Sequence, residues 1–344
     1  MSEPLLSIRD VSMVFPIRRG AFAKPAELRA LAGVSLDVLP GEALGIVGES
    51  GCGKTTLGRC ITGIHPPTAG RILLRDRDGG AMRDITRRSR AQQQALARDI
   101  RMIFQDPFGS LNPRMTVFDI IAEPLRVHGE AAEAAALEAR IERILRRVGL
   151  RPDAMRRYPH AFSGGQRQRI GIARALILQP RIVVADEAVS ALDVSVRAQI
   201  LNLLLDLREE MGLTVIFVGH DLGVVRYFCD RVAVMYSGQV VEVAPAEQLF
   251  ARPSHPYTQA LLSAVPEPDP RLRGQHRRVM LRGEVPDPMS RPAGCVFHPR
   301  CPHALARCAG EAPPLAPAPD GRLAACWRAE EMAAGALQPD ALPA

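Results

Sequence analysis

Gly48-Glu49-Ser50-Gly51-Cys52-Gly53-Lys54-Thr55 sets three glycines, a lysine and a threonine at the spacing G-x-x-x-x-G-K-[ST]. Glycines let consecutive backbone N–H groups turn inward on an anion, and a helix starting there adds its positive end. Lys54 then offers a compact cation to the β/γ-phosphates of a nucleoside triphosphate. Thr55, followed by Thr56, offers a hydroxyl to Mg²⁺. Hydrolysis also needs one carboxylate for the metal and one for the attacking water. Ile182-Val183-Val184-Ala185-Asp186-Glu187 supplies both at the end of an apolar run: Asp186 to hold Mg²⁺ and Glu187 to polarise the water.

These groups need strands and helices to hold them. Leu6, Ile8, Val11, Met13 and Phe15, then Val34, Leu36 and Val38, predict two alternating strands bridged by a basic loop over Pro16–Arg29. After the turn Pro40-Gly41-Glu42, the run Ala43–Val47 reads as a strand buried on both faces, and Thr55–Thr62 as a helix. Glu130–Leu150 carries Leu137, Ile141, Ile144, Leu145 and Val148 at helical spacing and closes at Gly149. Two further buried-strand runs, Ile182–Ala185 and Thr214–Val218, precede Asp186 and His220. The alternation implies a largely parallel sheet covered on both faces. Beyond about Ala251, prolines at 253, 256, 266, 268, 270, 286, 288 and 292 mark a loop-rich accessory region. Past Glu330 an Ala/Pro-rich tail is expected to be disordered.

With 344 residues, 47% of them hydrophobic, the chain can bury a sizeable core, which excludes disordered, collagenous and pure disulfide-scaffold classes. Only two of its 44 basic side chains, Lys24 and Lys54, are lysine. A lysine kept in so arginine-rich a chain invites a specific reason. The formal charge of +7 lies mostly in residues 271–330, a stretch with few aromatics beyond Phe297 and Trp327. That describes a basic accessory region and not a nucleic-acid face with interleaved stacking rings. The N-terminus lacks the build of a signal peptide, and the longest apolar runs, such as Leu213–Val218, fall far short of the roughly 20 residues that span a bilayer. A cytoplasmic location is therefore expected, where the seven cysteines would stay reduced.

Phe162-Ser163-Gly164-Gly165-Gln166-Arg167-Gln168-Arg169 resembles the signature of ATP-binding-cassette ATPases. Alone it would also read as a serine N-cap. The resemblance implies that Ser163, Gly164, Gly165 and Gln166 receive the phosphate of ATP bound to a partner cassette across a head-to-tail dimer. Further family positions stand in order along the chain. Gln105 resembles the glutamine that meets Mg²⁺ and water and senses membrane subunits, Asp193 the loop aspartate that links the two sites, His220 the switch histidine at the γ-phosphate, and Phe15 the aromatic on adenine. Gly48, Glu49, Ser50, Gly51, Cys52, Gly53, Lys54, Thr55 and Thr56 would line the nucleotide, with Thr55, Gln105 and Asp186 around Mg²⁺. Ala188, where the family usually has proline, and Gly219, where serine is common, are departures that touch no catalytic role.

The implied fold class is α/β: a P-loop NTPase cassette with a RecA-like core, an antiparallel β subdomain, a helical signature subdomain over about 106–178, and a small C-terminal loop-rich accessory domain. Residues 1–252 form the ATPase domain, 253–330 the accessory domain and 331–344 the tail. Phe104–Thr116, His255–Leu262 and the Pro16–Gly20 insertion resemble the ATPase subunits of dipeptide and oligopeptide importers. That resemblance implies ATP and Mg²⁺ as cofactors, and as partners a second ATPase subunit, like or unlike, two transmembrane permeases and, indirectly, a solute-binding protein, with no nucleic acid. The chain would then lie peripherally on the cytoplasmic face of the inner membrane. Importers of nickel or other small solutes share the pattern. A soluble cassette ATPase of ribosomes or DNA would be expected to carry a second cassette or long heptad arms, and neither is present.

Cys295, Cys301, Cys308 and Cys326 make up the number of ligands that a tetrahedral zinc or a [4Fe–4S] cluster requires. Their gaps match neither zinc-ribbon nor ferredoxin spacing, so unligated thiols remain an alternative at this level. Similar cysteine sets recur in peptide-importer ATPases, and the resemblance implies an iron–sulfur cluster ahead of zinc. Cys52 and Cys60 read as packing residues around the phosphate loop.

Overall fold

A computed structural model describes residues 3–17, 26–106, 109–130, 133–265, 279–281, 283–284, 286–287, 289–318 and 321–337. Strands β1 (Leu6–Ile17) and β2 (Ala26–Val38) pair antiparallel to their tips, Ile17 opposite Ala26. The alternation therefore continues into the expected loop, and the bridge shrinks to residues 18–25, outside the described residues together with Lys24. Next come β3 (Ala43–Val47), α1 (Lys54–Ile61), β4 (Ala69–Arg75), β5 (Met82–Asp84), α2 (Arg90–Leu96) and β6 (Ile100–Ile103). The helical portion holds α3 (Val117–Val127), α4 (Ala134–Arg147) and α5 (Gly164–Leu176). Gly149, left-handed at φ 71°, ends the turn after α4 as its glycine predicts.

The chain then runs through β7 (Ile182–Asp186), α6 (Val194–Met211), β8 (Thr214–Val218), α7 (Leu222–Phe228), β9 (Arg231–Tyr236), β10 (Gln239–Pro245), α8 (Ala246–Ala251) and α9 (Pro256–Ser263). It closes with β11 (Ala316–Pro317), β12 (Leu323–Ala324) and α10 (Ala329–Ala333). Two sheets result: an antiparallel one in the order β2-β1-β4-β5, and a larger one in the order β11-β12-β10-β9-β3-β8-β7-β6. In the larger sheet β9, β3, β8, β7 and β6 are parallel.

The continuous apolar runs are explained by two cores. Val183, Ala185, Val215 and Phe217 face a core shared with α3–α7, whereas Ile182, Val184, Ile216 and Val218 face one shared with the antiparallel sheet. Each strand is thus buried on both sides and has no polar face to show.

The accessory region adds to the larger sheet, where β12 pairs with β10, Glu242 opposite Ala324. One expectation changes. The tail expected to be disordered from residue 331 forms the end of α10 with Met332 buried, and the described chain continues to 337. Burying Met332 gives this short helix an apolar anchor that the Ala/Pro composition concealed.

Candidate functional site

Register brings the chemistry together. Ile46 is opposite Val218, Val218 opposite Asp186, and Ala185 opposite Ile103, so β3, β8, β7 and β6 end level with one another. The loops leaving these strands are therefore gathered at one edge, and they carry the phosphate loop, His220, Glu187 and Gln105. Gly48 turns off β3 with φ 151°, and a Cβ there would lie 2.2 Å from the Met235 carbonyl oxygen, so only glycine fits. Gly53 caps α1, and Lys54, only 6% exposed, donates from Nζ to the carbonyls of Gly48 (2.8 Å) and Glu49 (3.0 Å). Thr55 Oγ1 donates to Asp186 Oδ1 at 3.0 Å, which brings the two expected Mg²⁺ groups into contact. Burial pushes the Asp186 carboxyl above its ordinary range, partly offset by the Thr55 hydrogen bond.

Glu187 occupies the left-handed region at φ 47°, a conformation that costs a non-glycine residue of order 1–3 kcal/mol and persists where surrounding structure enforces it. Its N–H donates to the Val218 carbonyl at 2.9 Å, and its own carbonyl accepts from Ser190 Oγ at 2.9 Å. Its side chain accepts from Gln105 Nε2 at 2.9 Å and approaches His220 Nδ1 at 3.5 Å. Three residues far apart in sequence thus meet at one carboxylate. Pro107 and Phe108, close after Gln105 in the chain, lie outside the described residues.

Ser163 is the N-cap of α5. Its Oγ accepts from the Gln166 N–H (3.4 Å) while Gln166 Oε1 accepts from the Ser163 N–H (3.1 Å), a capping box exposed at the surface. The N-cap reading of Ser163 is thus met by geometry. Gly164 lies against Leu192. At Gly165 a Cβ would come within 2.4 Å of Val196 Cγ1. Asp193 caps α6, accepting from the Val196 N–H at 2.9 Å and Ser195 Oγ at 2.8 Å, and the Val196 N–H bond leads the contacts that hold its carboxyl below its ordinary range. Phe15, half-buried near the end of β1, meets His65 edge-on with ring centres 5.8 Å apart. Cys52 and Cys60 are buried beside the loop, as expected of packing residues.

Cys295, Cys301, Cys308 and Cys326 line one small cavity with Phe297 and Trp327. Burial first, and then the neighbouring thiols, push Cys301 up to about 12 and Cys326 to about 11. Backbone N–H groups of Leu305 and Arg328 donate to Cys308 Sγ and Cys326 Sγ, each at 3.4 Å, and Cys301 takes one from His303. The N–H donors would stabilise thiolates at these sulfurs, whereas burial favours the neutral thiols. Among the described residues, however, no three His, Cys, Asp or Glu side chains are arranged to hold a metal ion.

Sequence reasoning missed His65, and it missed the two contacts that Tyr257 and Arg300 make with Glu49. Tyr257 lay within a segment read only as a family marker, and Arg300 was one arginine among many.

A phosphate loop, a strand-end Asp-Glu pair and a Ser-Gly-Gly-Gln helix start on this two-sheet fold define an ATP-binding-cassette ATPase. The ABC transporter family profile matches residues 31–190, and the profile "Oligopeptide/dipeptide transporter, C-terminal region" matches 241–308. The probable peptide ABC transporter ATP-binding protein y4tS of Sinorhizobium fredii is 48% identical over 99% of this chain and 95% of its own length. The oligopeptide transport ATP-binding protein AppF of Bacillus subtilis is 48% identical over 94% of this chain and 97% of its own. Among solved structures, the dimeric cassette MJ0796, in a post-hydrolysis state bound to ADP and Pi, superposes with a TM-score of 0.60 at 28% identity over 70% of this chain and 98% of that one. The cbiO1 subunit of the cbiONQ transporter of Clostridium perfringens gives 0.61 at 27% identity over 73% and 92%. The chain belongs to the ABC transporter ATPases, in their peptide-import ATP-binding branch.

Proposed function

We propose that this chain is the ATP-hydrolysing subunit of a dipeptide or oligopeptide importer, acting peripherally on the cytoplasmic face of the inner membrane. Its partners would be a second cassette, two permeases and, indirectly, a solute-binding protein. Among the described residues no helix is long and apolar enough to cross a membrane, so the path for the solute would lie in the permeases.

The observation that carries this reading is the convergence of Gln105, His220 and Glu187 beside the Thr55–Asp186 pair. Thr55, Gln105 and Asp186 would hold Mg²⁺, which supplies charge neutralisation at the transferring phosphoryl group. Lys54 meets the β/γ-phosphates. Glu187 accepts the proton of the attacking water, oriented by Gln105, and His220 hydrogen-bonds the γ-phosphate. Ser163, Gly164, Gly165 and Gln166 close the partner's site, and Asp193 connects the two. Phe15 takes the adenine. Two bound ATP molecules draw the cassettes together, and hydrolysis releases them.

Glu187→Gln keeps the shape of the side chain and removes the base. Turnover is expected to fall by about two to four orders of magnitude while Mg-ATP still drives dimerisation, read by size-exclusion chromatography. Undiminished phosphate release by this variant would refute the assignment.

The four cysteines are proposed to hold a [4Fe–4S] cluster, supported by their common cavity and their N–H donors. Anaerobically purified protein should be brown and carry about four irons per chain. Colourless, metal-free but folded protein would overturn this part alone.

A further inference from the structure

Glu49, the first residue after the opening glycine of the phosphate loop, is held on three sides. Its carbonyl accepts from Lys54 at 3.0 Å, its N–H donates to Tyr257 Oη at 2.8 Å, and its carboxylate meets Arg300 in a two-pronged contact at 2.9 and 3.3 Å. The last two partners come from the segments after residue 252. Arg300 also donates to Tyr236 Oη at 3.3 Å, and its side chain is only 9% exposed, against 29% for Glu49. Beneath them the rings of Tyr236, Tyr257 and Phe297 pack with centres 4.7 to 5.6 Å apart. Phe297 and Arg300 both belong to the stretch between Cys295 and Cys301.

We propose that Arg300 is a positioning residue for ATP: by pairing with Glu49 it fixes the start of the phosphate loop and cancels a carboxylate that would otherwise repel the polyphosphate. A two-pronged guanidinium–carboxylate contact sets direction as well as charge. With Tyr257 holding the Glu49 N–H, the planar peptide between Gly48 and Glu49 cannot rotate freely, and the Gly48 carbonyl in that same plane, which receives Lys54 at 2.8 Å, keeps its orientation. The pair is also poorly solvated. Removing Arg300 therefore leaves an uncompensated, part-buried negative charge five residues from Lys54, in a loop built to receive anions. The accessory region thus reaches the nucleotide site inside a single chain.

A purely structural ion pair would lower thermal stability and leave nucleotide affinity alone, so the test separates the two. In the full-length chain, Arg300→Gln is expected to raise the Kd of Mg-ATP about tenfold, the size of one charge-assisted contact. KM should follow, and kcat should change much less. Arg300→Gln/Glu49→Gln removes the stranded charge and should recover most of the affinity, even where its melting temperature stays low. Arg300→Lys, with its charge kept and its fork lost, should fall between wild type and Arg300→Gln, and it provides the measurement if Arg300→Gln does not fold. The proposal is overturned by a Kd within twofold of wild type in Arg300→Gln, or in Arg300→Lys if only that variant folds, and equally by a double variant no better than the single one. A wild-type chain that binds no Mg-ATP would overturn it together with the reading of residues 48–55, whereas unchanged Kd in the variants would overturn it alone.

Discussion

Gly165→Ala is the sharpest steric test of the signature helix. A Cβ at this position would lie 2.4 Å from Val196 Cγ1, whereas carbon atoms in ordinary contact are about 3.5–4.0 Å apart, so α5 and α6 must separate by roughly 1 Å. Overpacking of this kind costs about 1–3 kcal/mol, which should lower the melting temperature by a few degrees. The larger effect is expected on chemistry. Ser163 and Gln166 form the first turn of α5, and the Asp193 cap forms the start of α6. Prising the helices apart therefore displaces the groups proposed to face the partner's ATP. Misplacing a positioning group by about 1 Å can cost on the order of 100-fold in kcat. Steady-state phosphate release and differential scanning calorimetry on the same preparation read both effects. Val196→Ala removes the colliding methyl groups, so Gly165→Ala/Val196→Ala should regain most of the lost rate. A Gly165→Ala protein that hydrolyses and melts like wild type, or a double variant as impaired as the single one, would refute the steric argument.

Lys54→Arg keeps the charge but replaces a slim ammonium, seated between the Gly48 and Glu49 carbonyls, with a broad planar group. Equilibrium binding should show Mg-ATP affinity lost, and wild-type affinity would mean that the loop has room to spare. Glu242 is fully buried, accepting from the Ser254 and His255 N–H groups at 2.7 and 3.0 Å, and burial pushes its carboxyl up to about 7 from 4.5. Between those values the folded chain keeps a proton that the unfolded chain has lost, so this group's contribution is complete below pH 4.5 and declines as pH rises to 7. The loss amounts to roughly 3 kcal/mol at 1.36 kcal/mol per unit. Buried His255, pushed down to about 3, gives the opposite slope over its own range, and Arg322 lowers the Glu242 carboxyl slightly. Urea unfolding of wild type against Glu242→Gln across this range isolates the term, since His255 is common to both. Parallel curves would show that Glu242 is ionised when folded.

The strands around the site were legible because runs such as Ala43–Val47 and Thr214–Val218 are buried on two faces and carry no competing pattern. The phosphate loop and the Asp186–Glu187 pair could be read from spacing alone. Gln105 and His220 could not: each is an ordinary polar residue until register places it against Glu187, and only family resemblance singled them out. The left-handed backbone of Glu187 left no trace in residue type, since glycine or asparagine would be the usual occupant. Arg300 was invisible for a plainer reason. It pairs with a residue 251 positions away, and no periodicity encodes such a contact. The end of α10 was misread because composition reports average hydrophobicity, whereas one well-placed Met332 is enough to dock a short helix.

β3, the strand that carries the phosphate loop, pairs only with β8 and β9 among the described strands. During synthesis the ribosome makes Ala43–Val47 early, but its partners, Thr214–Val218 and Arg231–Tyr236, emerge long afterwards. Until then five consecutive apolar residues have no sheet to join, and the phosphate loop beyond them has no scaffold. Such non-local pairing delays closure and leaves an unpaired strand open to wrong partners. ATP therefore cannot act as an early folding template for this chain: the nascent protein must protect its nucleotide strand for most of its length before the strand meets the neighbours that give it a function.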